Sequence, residues 1–431
     1  MTTNYQVPKG YKLTEVGVIP EDWEVSALGE ICTNGSGTTP SRSMEERYFH
    51  NGIIPWVKTL DLNNAEIFET DERVTQIAIN ETSLKPYPVG TVLVAMYGGF
   101  NQIGRTGILR ISAAVNQAIT AVQANDSVIS SDYLLRVLNY RVNHWKNVAS
   151  SSRKDPNITS RDIKEFKIAY PPLPEQEAIA LVLSDTDALI TSLDKLIAKK
   201  RDIKQAAMQQ LLTGKQRLEG FGDSSGKFKQ TEIGLIPEDW EVKSLGDIGE
   251  ALIGLTYNPS NVKESGLLVL RSSNVFEGRL AFENNVYVDV NVPDKLRTQK
   301  GDILICVRNG SRELIGKCAL IDERAVGETF GAFMTVFRTQ FSSYVFLQFQ
   351  SNLIKKQIHE HIGATINQIT NKNLNSFKIP LPTCTKEQNA IAKVLSDMDS
   401  EISAIEQRRD KTKALKQAMM QELLTGRIRL L

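Results

Sequence analysis

Apolar runs and polar loops follow one order twice along this chain. Residues 89–109 read VGTVLVAMYGGFNQIGRTGIL, and residues 300–320 read KGDILICVRNGSRELIGKCAL. Each is a β-rich apolar run, a polar loop with glycines and a second apolar run, which predicts a β-hairpin with a long tip. An amphipathic helix follows at residues 132–148 and 344–362, with Ser131 and Ser343 as N-cap candidates. A short strand that ends in prolines follows each helix.

Apolar residues three and four positions apart predict a long helix after each of these strands. In the first helix the stripe consists of Ile179, Val182, Thr186, Leu189, Leu193, Leu196, Ile203, Ala207 and Leu211. In the second helix it consists of Ile391, Val394, Met398, Ile402, Ile405, Leu415, Met419 and Leu423. This spacing is typical of a heptad seam between two packed helices. A helix over residues 175–212 would span roughly 55–60 Å at ~1.5 Å per residue.

Direct repeats confirm that the chain consists of two related halves. TEVGVIPEDWEVSALGEI at 14–31 returns as TEIGLIPEDWEVKSLGDI at 231–248. IALVLSD at 179–185 returns as IAKVLSD at 391–397, and MQQLLTG at 208–214 returns as MQELLTG at 420–426. A repeat unit of this length indicates duplicated domains.

The pattern predicts an α+β protein with two similar globular α/β domains and an internal pseudo-twofold repeat. Two long helices, packed as an antiparallel coiled coil, would separate the domains. The predicted boundaries are 1–170 for the first domain, 171–214 for the central long helix and 215–230 for a linker rich in glycine and serine. The second domain would occupy 231–380 and the C-terminal long helix 381–431.

Composition narrows the classes of protein. With 431 residues, of which 41% are hydrophobic and 23% charged, the chain is predicted to be globular and to have several domains. It has neither a secretory leader pattern nor an apolar run of membrane-spanning length, so we expect a cytoplasmic protein without membrane association. Its four cysteines form no CxxC pair and have no histidine at ligand spacing, which favours reduced thiols over a metal site.

Two similar domains at a fixed separation suit a ligand with two recognition elements, and double-stranded DNA is such a ligand. The net charge of +1 argues against DNA contacts over the whole surface but allows local basic faces. Residues 82–125 contain no acidic residue. In the major groove, arginine pairs with guanine, and asparagine or glutamine with adenine.

Three polar loops in each half carry such side chains. The candidates in the first half are Thr38, Thr39, Ser41, Arg42, Tyr97, Asn101, Gln102, Arg105, Arg153 and Lys154. The candidates in the second half are Tyr257, Asn258, Arg308, Asn309, Ser311, Arg312, Lys317, Asn367 and Gln368. Arg153 and Lys154 are better suited to phosphates than to bases.

Other interpretations of the same features remain open at this point. Trp23 and Trp240 of the repeated PEDW element are predicted to be structural, and His359 and His361 point to different helix faces, which disfavours a metal site. A DNA methyltransferase would need a glycine-rich cofactor loop and an Asn/Asp-Pro-Pro-aromatic turn, and a nuclease would need clustered carboxylates. The sequence has none of these patterns. A non-catalytic scaffold whose domains bind proteins is an alternative to a DNA-binding protein, and a strong salt dependence of duplex binding would distinguish the two.

The GxIPEDWEV entry, the PLPEQ start of a long helix with its IAxVLSD seam, and the LLTG ending resemble the conserved regions of type I restriction-modification specificity subunits. The resemblance covers essentially the whole chain. It implies a non-catalytic, cofactor-free subunit in which each variable half reads one half of a bipartite DNA target. It also implies that the conserved helices set the spacing and dock two methyltransferase subunits, and that a motor-nuclease subunit joins for restriction. CTKEQ at 384–388 departs from PLPEQ and leaves open how the second long helix begins.

Overall fold

The computed structural model describes residues 7–99, 101–150, 157–222, 226–362 and 367–430 of the chain. The chain forms two compact units. The first consists of Met1–Asp194 with Gln407–Leu431, and the second of Lys195–Glu406. Each long helix therefore contributes one half to each unit. The domain boundaries given above were drawn from the sequence repeat and remain predictions.

A five-stranded mixed sheet forms the centre of the first unit. Its strands lie in the order Cys32–Ser36, Ile119–Ala124, Val92–Ala95, Thr106–Leu109 and Ala65–Ile67. Neighbours are antiparallel except for the last pair, which is parallel. Val92 and Val94 contribute to one core cluster, and Leu93 and Ala95 contribute to another. Because both faces of the central strand are buried, its sequence is a continuous apolar run without alternation.

The second unit repeats this sheet with four antiparallel strands. They lie in the order Glu250–Ile253, Met334–Arg338, Ile303–Cys306 and Cys318–Leu320. Ile303 and Ile305 contribute to one core cluster, and Leu304 and Cys306 to the other. The hairpins predicted at 89–109 and 300–320 are confirmed, since each provides two neighbouring strands of its sheet.

A smaller sheet accompanies the central sheet in each unit. In the first unit its order is Ala114–Val115, Ile54–Val57 and Glu72–Val74. In the second unit its order is Val262–Lys263, Tyr287–Val288, Leu267–Leu270 and Thr329–Phe330. Each of these smaller sheets contains one parallel pair of strands, and the two pairs occupy equivalent positions in the two sheets. The second unit also has a short hairpin of Val275–Phe276 and Arg279–Leu280.

The repeated PEDW entry forms two strand pairs in each unit. Tyr11–Thr14 pairs with Gly17–Pro20, and Phe228–Thr231 pairs with Gly234–Pro237. The next strand then pairs with the strand that leads into the long helix. These pairs are Glu24–Ala27 with Lys167–Tyr170 and Trp240–Ser244 with Lys378–Pro382. The beginning and the end of each globular region are thereby joined.

Shorter helices pack on the central sheet of each unit and, in the first unit, also on the smaller sheet. In the first unit the α-helices are Leu28–Ile31, Glu45–Tyr48, Gln76–Glu81, Ser131–Tyr140, Val142–Ser150 and Ser160–Glu165. In the second unit they are Leu245–Ile248, Ser342–Gln350, Asn352–His361 and Asn371–Ser376. The single amphipathic helix predicted in each half is wrong in two respects. Both helices are split, and the N-cap residues are Ser130 and Phe341, because Ser131 and Ser343 are already the first and second residues of their helices. The second splits at Ser351, whose hydroxyl caps the next helix by accepting the N–H of Ile354.

The two long helices are Leu173–Leu211 and Thr385–Leu423. In the first unit Asp187 pairs with Lys416 at 2.6 Å and Asp194 with Arg409 at 3.4 Å. In the second unit Lys200 pairs with Glu401 at 2.6 Å and Lys204 with Asp399 at 2.6 Å. In each unit the partner number falls as the first number rises, so the predicted antiparallel packing is confirmed. Within the described residues, no helix combines the length and apolarity needed to cross a bilayer.

The predicted apolar stripe is only partly buried. Leu189, Leu196, Ile203 and Leu415 are 39–58% exposed. Leu183, Ile197 and Leu395, which the stripe did not include, are instead buried. The ends of the helices pack on the sheet domains rather than only on each other, because Leu183 belongs to the main core of the first unit and Leu395 to a core cluster of the second. A single heptad seam therefore does not describe the whole length of either helix.

The LLTG ending of each long helix packs on a PEDW element. Gly214 adopts φ +68°, and a Cβ there would lie 2.5 Å from Cγ of Pro237. The same contact occurs in the first unit between Gly426 and Pro20. Trp23 and Trp240 are fully buried beside these glycines, as predicted for structural residues. The first long helix thus ends on the PEDW of the second half, and the second ends on the PEDW of the first half.

An arginine after each LLTG ties three conserved elements together. Arg217 contacts Glu387 at 2.5 Å and Asp239 at 2.9 Å, and Glu387 is only 1% exposed. Burial alone would lower the pKa of Arg217, but its hydrogen bonds to Asp239 and Glu387 outweigh this effect and raise the pKa. In the first unit, Arg429 makes the same contacts to Glu175 and Asp22. The start of one long helix and the end of the other are thereby fixed to the same PEDW element.

We predict that Gly214→Ala destabilises the second unit more than Gly220→Ala does. Both glycines have a positive φ, +68° and +84°, which costs an alanine ~1–2 kcal/mol, but nothing lies within 4 Å of a Cβ at Gly220. The contact with Pro237 should add ~1–3 kcal/mol of overpacking. Urea unfolding, followed by amide hydrogen exchange in residues 226–362, measures both variants. Equal losses for the two would refute the packing of the LLTG ending on Pro237.

We also predict that Arg217→Ala lowers the free energy of unfolding of the second unit by ~3–5 kcal/mol, because it leaves the buried Glu387 carboxylate without its cation. Arg324→Ala is the matched control. Arg324 also pairs with a carboxylate and lies over an aromatic ring, but its side chain is 59% exposed, so we expect a loss of at most ~1 kcal/mol. The same unfolding measurement compares them, and similar losses would contradict the structural role of the buried pair.

Candidate DNA interface

Three loops of the second unit meet at one end of its central sheet. The backbone N–H groups of Val307 and Arg308 donate to the carbonyl of Phe333 at 3.0 and 3.2 Å. The N–H of Ile369 donates to the carbonyl of Val307 at 2.9 Å, and Arg308 forms an isolated antiparallel bridge with Gln368. The hairpin tip, the loop after the helix pair and the turn at residues 331–333 are therefore held together by backbone hydrogen bonds.

The first polar loop of the second unit borders this same turn. The N–H of Leu255 donates to the carbonyl of Phe330 at 2.7 Å, directly before the loop that carries Tyr257 and Asn258. The backbone N–H of Asn258 donates to Oδ1 of Asn261 at 2.9 Å. This bond holds Asn258 at the start of a short 3-10 turn, and Asn258 is exposed. Four segments distant in sequence thus form one surface.

The first unit builds the corresponding surface with the same backbone bonds. The N–H of Met96 donates to the carbonyl of Ala118 at 2.8 Å, and the N–H of Ile158 donates to that of Met96 at 3.1 Å. The N–H of Thr38 donates to the carbonyl of Val115 at 3.0 Å. None of these three bonds uses a side chain, so this part of the loop frame can stay the same while the side chains differ.

In the second unit, Arg308 has the properties of a base-reading residue. Its guanidinium carbon lies 4.9 Å from the ring centroid of Phe333, and the Phe333 side chain is 56% exposed. Among the described residues, no carboxylate lies within 4.0 Å of this guanidinium. A stacked arginine without an ion-pair partner keeps its donors available for a planar acceptor such as guanine.

Four neighbouring candidates are held by hydrogen bonds around Arg308. Nδ2 of Asn309 donates to Oγ of Ser272 at 3.2 Å, and Oδ1 of Asn309 accepts the N–H of Ser311 at 3.0 Å. Nδ2 of Asn367 donates to the carbonyl of Gly310 at 3.0 Å. The structure therefore brings together the candidates Arg308, Asn309, Ser311, Asn367 and Gln368.

The remaining two candidates of this hairpin tip face a different direction. Nη2 of Arg312 lies 3.4 Å from the carbonyl of His359, and Nζ of Lys317 lies 3.3 Å from that of Ser272. Both side chains line a cleft of about 670 Å³ in the second unit. They are adjacent to the loop surface but separate from the group of Arg308, Asn309, Ser311, Asn367 and Gln368, which we call the Arg308 cluster.

In the first unit, the hairpin tip and the first loop lie at the equivalent place. Oγ1 of Thr39 donates a short hydrogen bond to Oε1 of Gln117. Nε of Arg105 donates to the carbonyl of Asn101 at 3.0 Å, within the tip that also carries Gln102 and Tyr97. Tyr97 is 41% exposed, so its ring is available to a ligand.

Arg42 is less available than its sequence context suggested. Its guanidinium contacts Glu72 at 2.6 Å and lies 4.1 Å from the ring centroid of Phe49. Burial alone would raise the pKa of Glu72, but hydrogen bonds from Lys58 and Arg42 lower it overall, so the carboxylate stays charged. Arg42 is thus neutralised in the free protein. Ser41 next to it is exposed and shares a hydrogen bond with Ser43 at 2.7 Å.

Arg153 and Lys154 lie outside the described residues and stay predictions. The four cysteines are free, and three of them, Cys32, Cys306 and Cys318, are buried. Burial raises the pKa of the Cys32 and Cys318 thiols to about 12. Within the part of the chain that the structure describes, no group of His, Cys, Asp and Glu side chains is placed to hold a metal ion.

Comparison with known proteins decides the family. The model of the type I restriction modification DNA specificity domain matches this chain twice, over residues 20–203 and 237–415. The chain belongs to this family. Its two specificity domains, each with the loop surface described above, fit recognition of a DNA target in two parts.

Full-length relatives and a solved structure agree with this membership. The type I restriction enzyme MjaVIII specificity subunit of Methanocaldococcus jannaschii is 27% identical, over 95% of this chain and 94% of the relative. The putative MjaX specificity subunit of the same organism is 29% identical, over 98% and 97%. The crystal structure of the type I S subunit from M. genitalium, at 15% identity, has the same fold, with a TM-score of 0.57 over 96% of this chain and 97% of that one.

Sequence reasoning missed several members of the specificity-domain surface. Phe333, Gln117 and Ser272 lie in short turns with no motif of their own. They join the surface only because strand pairing brings residues 331–333 beside the hairpin tip and Ser272 beside Asn309. The repeat gives one signal for the turn at 331–333, since this turn and the turn at 116–118 follow equivalent strands in the two halves.

Proposed function

We propose that this chain is the DNA-recognition subunit of a type I restriction-modification complex, with one half of a bipartite target read by each unit. The observation that carries this proposal is the repeated loop surface, which has the same backbone frame and different side chains in the two units. Different side chains on one frame are what reading two different half-sites requires. The chain itself makes and breaks no covalent bond and needs no cofactor.

The side chains on these surfaces match the chemistry of base edges. Arg308 supplies the donor pair for O6 and N7 of guanine, while Asn367 and Gln368 beside it suit adenine. In the first unit, Asn101 and Gln102 suit adenine, and Arg105 suits guanine or a phosphate. Phe333 and Tyr97 add exposed aromatic surface for a thymine methyl group or a stacked base.

The long helices supply spacing and partner docking in this proposal. Each is one uninterrupted helix of 39 residues, about 58 Å at ~1.5 Å per residue. Leu196 and Ile203, which lie seven residues apart in the part of the first helix that belongs to the second unit, are exposed apolar side chains that suit a partner helix. Two methyltransferase subunits would dock here, one for each copy of the repeat, and motor-nuclease subunits would join for restriction. Because the complex would act on chromosomal DNA, we place it in the cytoplasm.

Independent recognition by the two units can be tested by replacing one of them. We predict that exchanging residues 14–170 for the matching segment of a relative changes one half of the methylated motif and leaves the other half unchanged. The measurement is the genome-wide pattern of methylated bases in cells that express the complete methyltransferase complex. The purified chain alone, given S-adenosylmethionine and target DNA, should transfer no methyl group. A change in both half-sites, or methyl transfer by the chain alone, would contradict the proposal.

A single residue provides a sharper test. We predict that Arg308→Ala relaxes recognition at one base pair of the half-site read by the second unit, with a loss of ~1–3 kcal/mol of discrimination. Arg324→Ala is again the control, because Arg324 also lies 4.9 Å over an aromatic ring but pairs with Asp322 at 2.6 Å, outside the loop surface. Binding to a set of single-base variants of the target measures both. A uniform loss across all variants for Arg308→Ala would assign it to a phosphate instead.

A further inference from the structure

The second unit contains a cleft that the recognition loops do not explain. One wall consists of the long helices, with Arg201, Lys204, Asp399 and Glu406. The opposite wall consists of the hairpin tip and the helix Asn352–His361. The cleft is open to solvent and has a volume of about 670 Å³, which is within the range of ligand-binding sites.

The two walls of the cleft differ in net charge. On the long-helix wall, Arg201 contacts Glu406 at 2.7 Å and Lys204 contacts Asp399 at 2.6 Å, so these charges cancel in pairs. The tip wall carries Arg312, Lys317 and Lys355. Among the described residues, no carboxylate lies within 4.0 Å of these three cations. Among the described residues of that wall, Glu313 is the one acidic side chain, so the wall has an excess of positive charge. Glu277, which also lines the cleft, pairs with Arg201 at 2.7 Å.

This positive wall is continuous with the Arg308 cluster. Ser272 connects them, because its carbonyl accepts from Nζ of Lys317 at 3.3 Å and its hydroxyl accepts from Nδ2 of Asn309 at 3.2 Å. Arg312 is four residues from Arg308, so their Cα atoms lie at most ~14 Å apart. The major groove is ~12 Å wide, and its edges are the two phosphate backbones. In a duplex whose base is read by Arg308, backbone phosphates would lie at a distance from Arg308 comparable to that of this wall.

We propose that Arg312, Lys317 and Lys355 bind backbone phosphates of the DNA that flanks the half-site read by the second unit. This inference rests on the function proposed above. The site binds phosphodiesters without reading sequence, since ammonium and guanidinium groups on this wall contact charge and not base edges. It adds Lys355, which lies in a helix and not in a loop, to the DNA interface.

Salt dependence of binding tests the site. Each phosphate contact contributes ~0.9 to the slope of log K against log salt concentration. In the complete methyltransferase complex, Lys355→Gln should reduce this slope by ~0.9, and the triple variant with Arg312→Gln and Lys317→Gln should reduce it by ~2.7. Between 50 and 200 mM salt, the triple variant should lose ~40-fold less affinity than the unchanged complex. The methylated motif should stay the same.

Lys356→Gln is the matched control. Lys356 is the next residue of the same helix, is 76% exposed, pairs with Glu360 at 3.8 Å and does not line the cleft. Its substitution should leave the slope unchanged. An unchanged slope in the triple variant, or an equal reduction in Lys356→Gln, would overturn the proposed site.

Neutral phosphate analogues test the contact without relying on the protein variants alone. Methylphosphonates placed one at a time in the flanking backbone should weaken binding of the unchanged complex at one to three positions. At one of these, Lys355→Gln should add no further loss. Full additivity at every position would overturn the contact.

Two further readouts separate the possible ligands and the two proposals. If the triple variant lost binding of inorganic phosphate or a free nucleotide but kept the DNA slope, the cleft would be a small-anion site and this inference would be wrong. If the unchanged complex did not prefer its target duplex to others, the function proposed above would fail. If that preference held but the slopes did not change, only the phosphate site would fail.

Discussion

A buried carboxylate at the start of each long helix determines how each unit is assembled. Glu387 and Glu175 are almost inaccessible to water, and a charge in that position requires a cation with several hydrogen bonds. The arginine that satisfies this requirement follows the LLTG ending of the other long helix. One helix can therefore begin only where the other ends, and the Asp of PEDW closes the same network. Antiparallel pairing of the helices is a consequence of this arrangement as much as of their apolar residues.

The central sheets place the recognition loops on this frame. The strands Val92–Ala95 and Ile303–Cys306 are buried on both faces, so a shift of either strand by one residue would exchange the residues that face its two cores. Their hairpin tips are thus held at a fixed position. Backbone bonds to the turns at 116–118 and 331–333 then hold the neighbouring loops in place. Substitutions in the loops can change the bases that are read and leave the frame intact, which is the property that a specificity subunit requires.

The arginines of the two loop surfaces differ in whether they already form an ion pair within the protein. Arg308 stacks on Phe333 with its donors free, whereas Arg42 is already paired with Glu72. DNA contact by Arg42 would first have to break its partly exposed ion pair with Glu72, at a cost of ~0–1 kcal/mol, whereas Arg308 has no such pair to break. Arg312 and Lys317, which belong to the same hairpin tip as Arg308, face the cleft next to Lys355. In our two proposals, one hairpin therefore serves two purposes, with Arg308 for bases and Arg312 and Lys317 for phosphates.

The sequence by itself determined the duplication, the hairpins, the long helices and the family, because repeated motifs and apolar periodicity are local properties of the chain. It also identified the loops that carry the candidate residues. It could not place Phe333, Ser272 or Lys355 beside the candidate residues, since pairing between distant strands and packing of a helix beside a hairpin decide those positions. It also misjudged which residues of the long helices are buried, Leu196 and Ile197 among them. Their burial depends on the globular regions that pack against the helix ends, and no spacing along one helix contains that information.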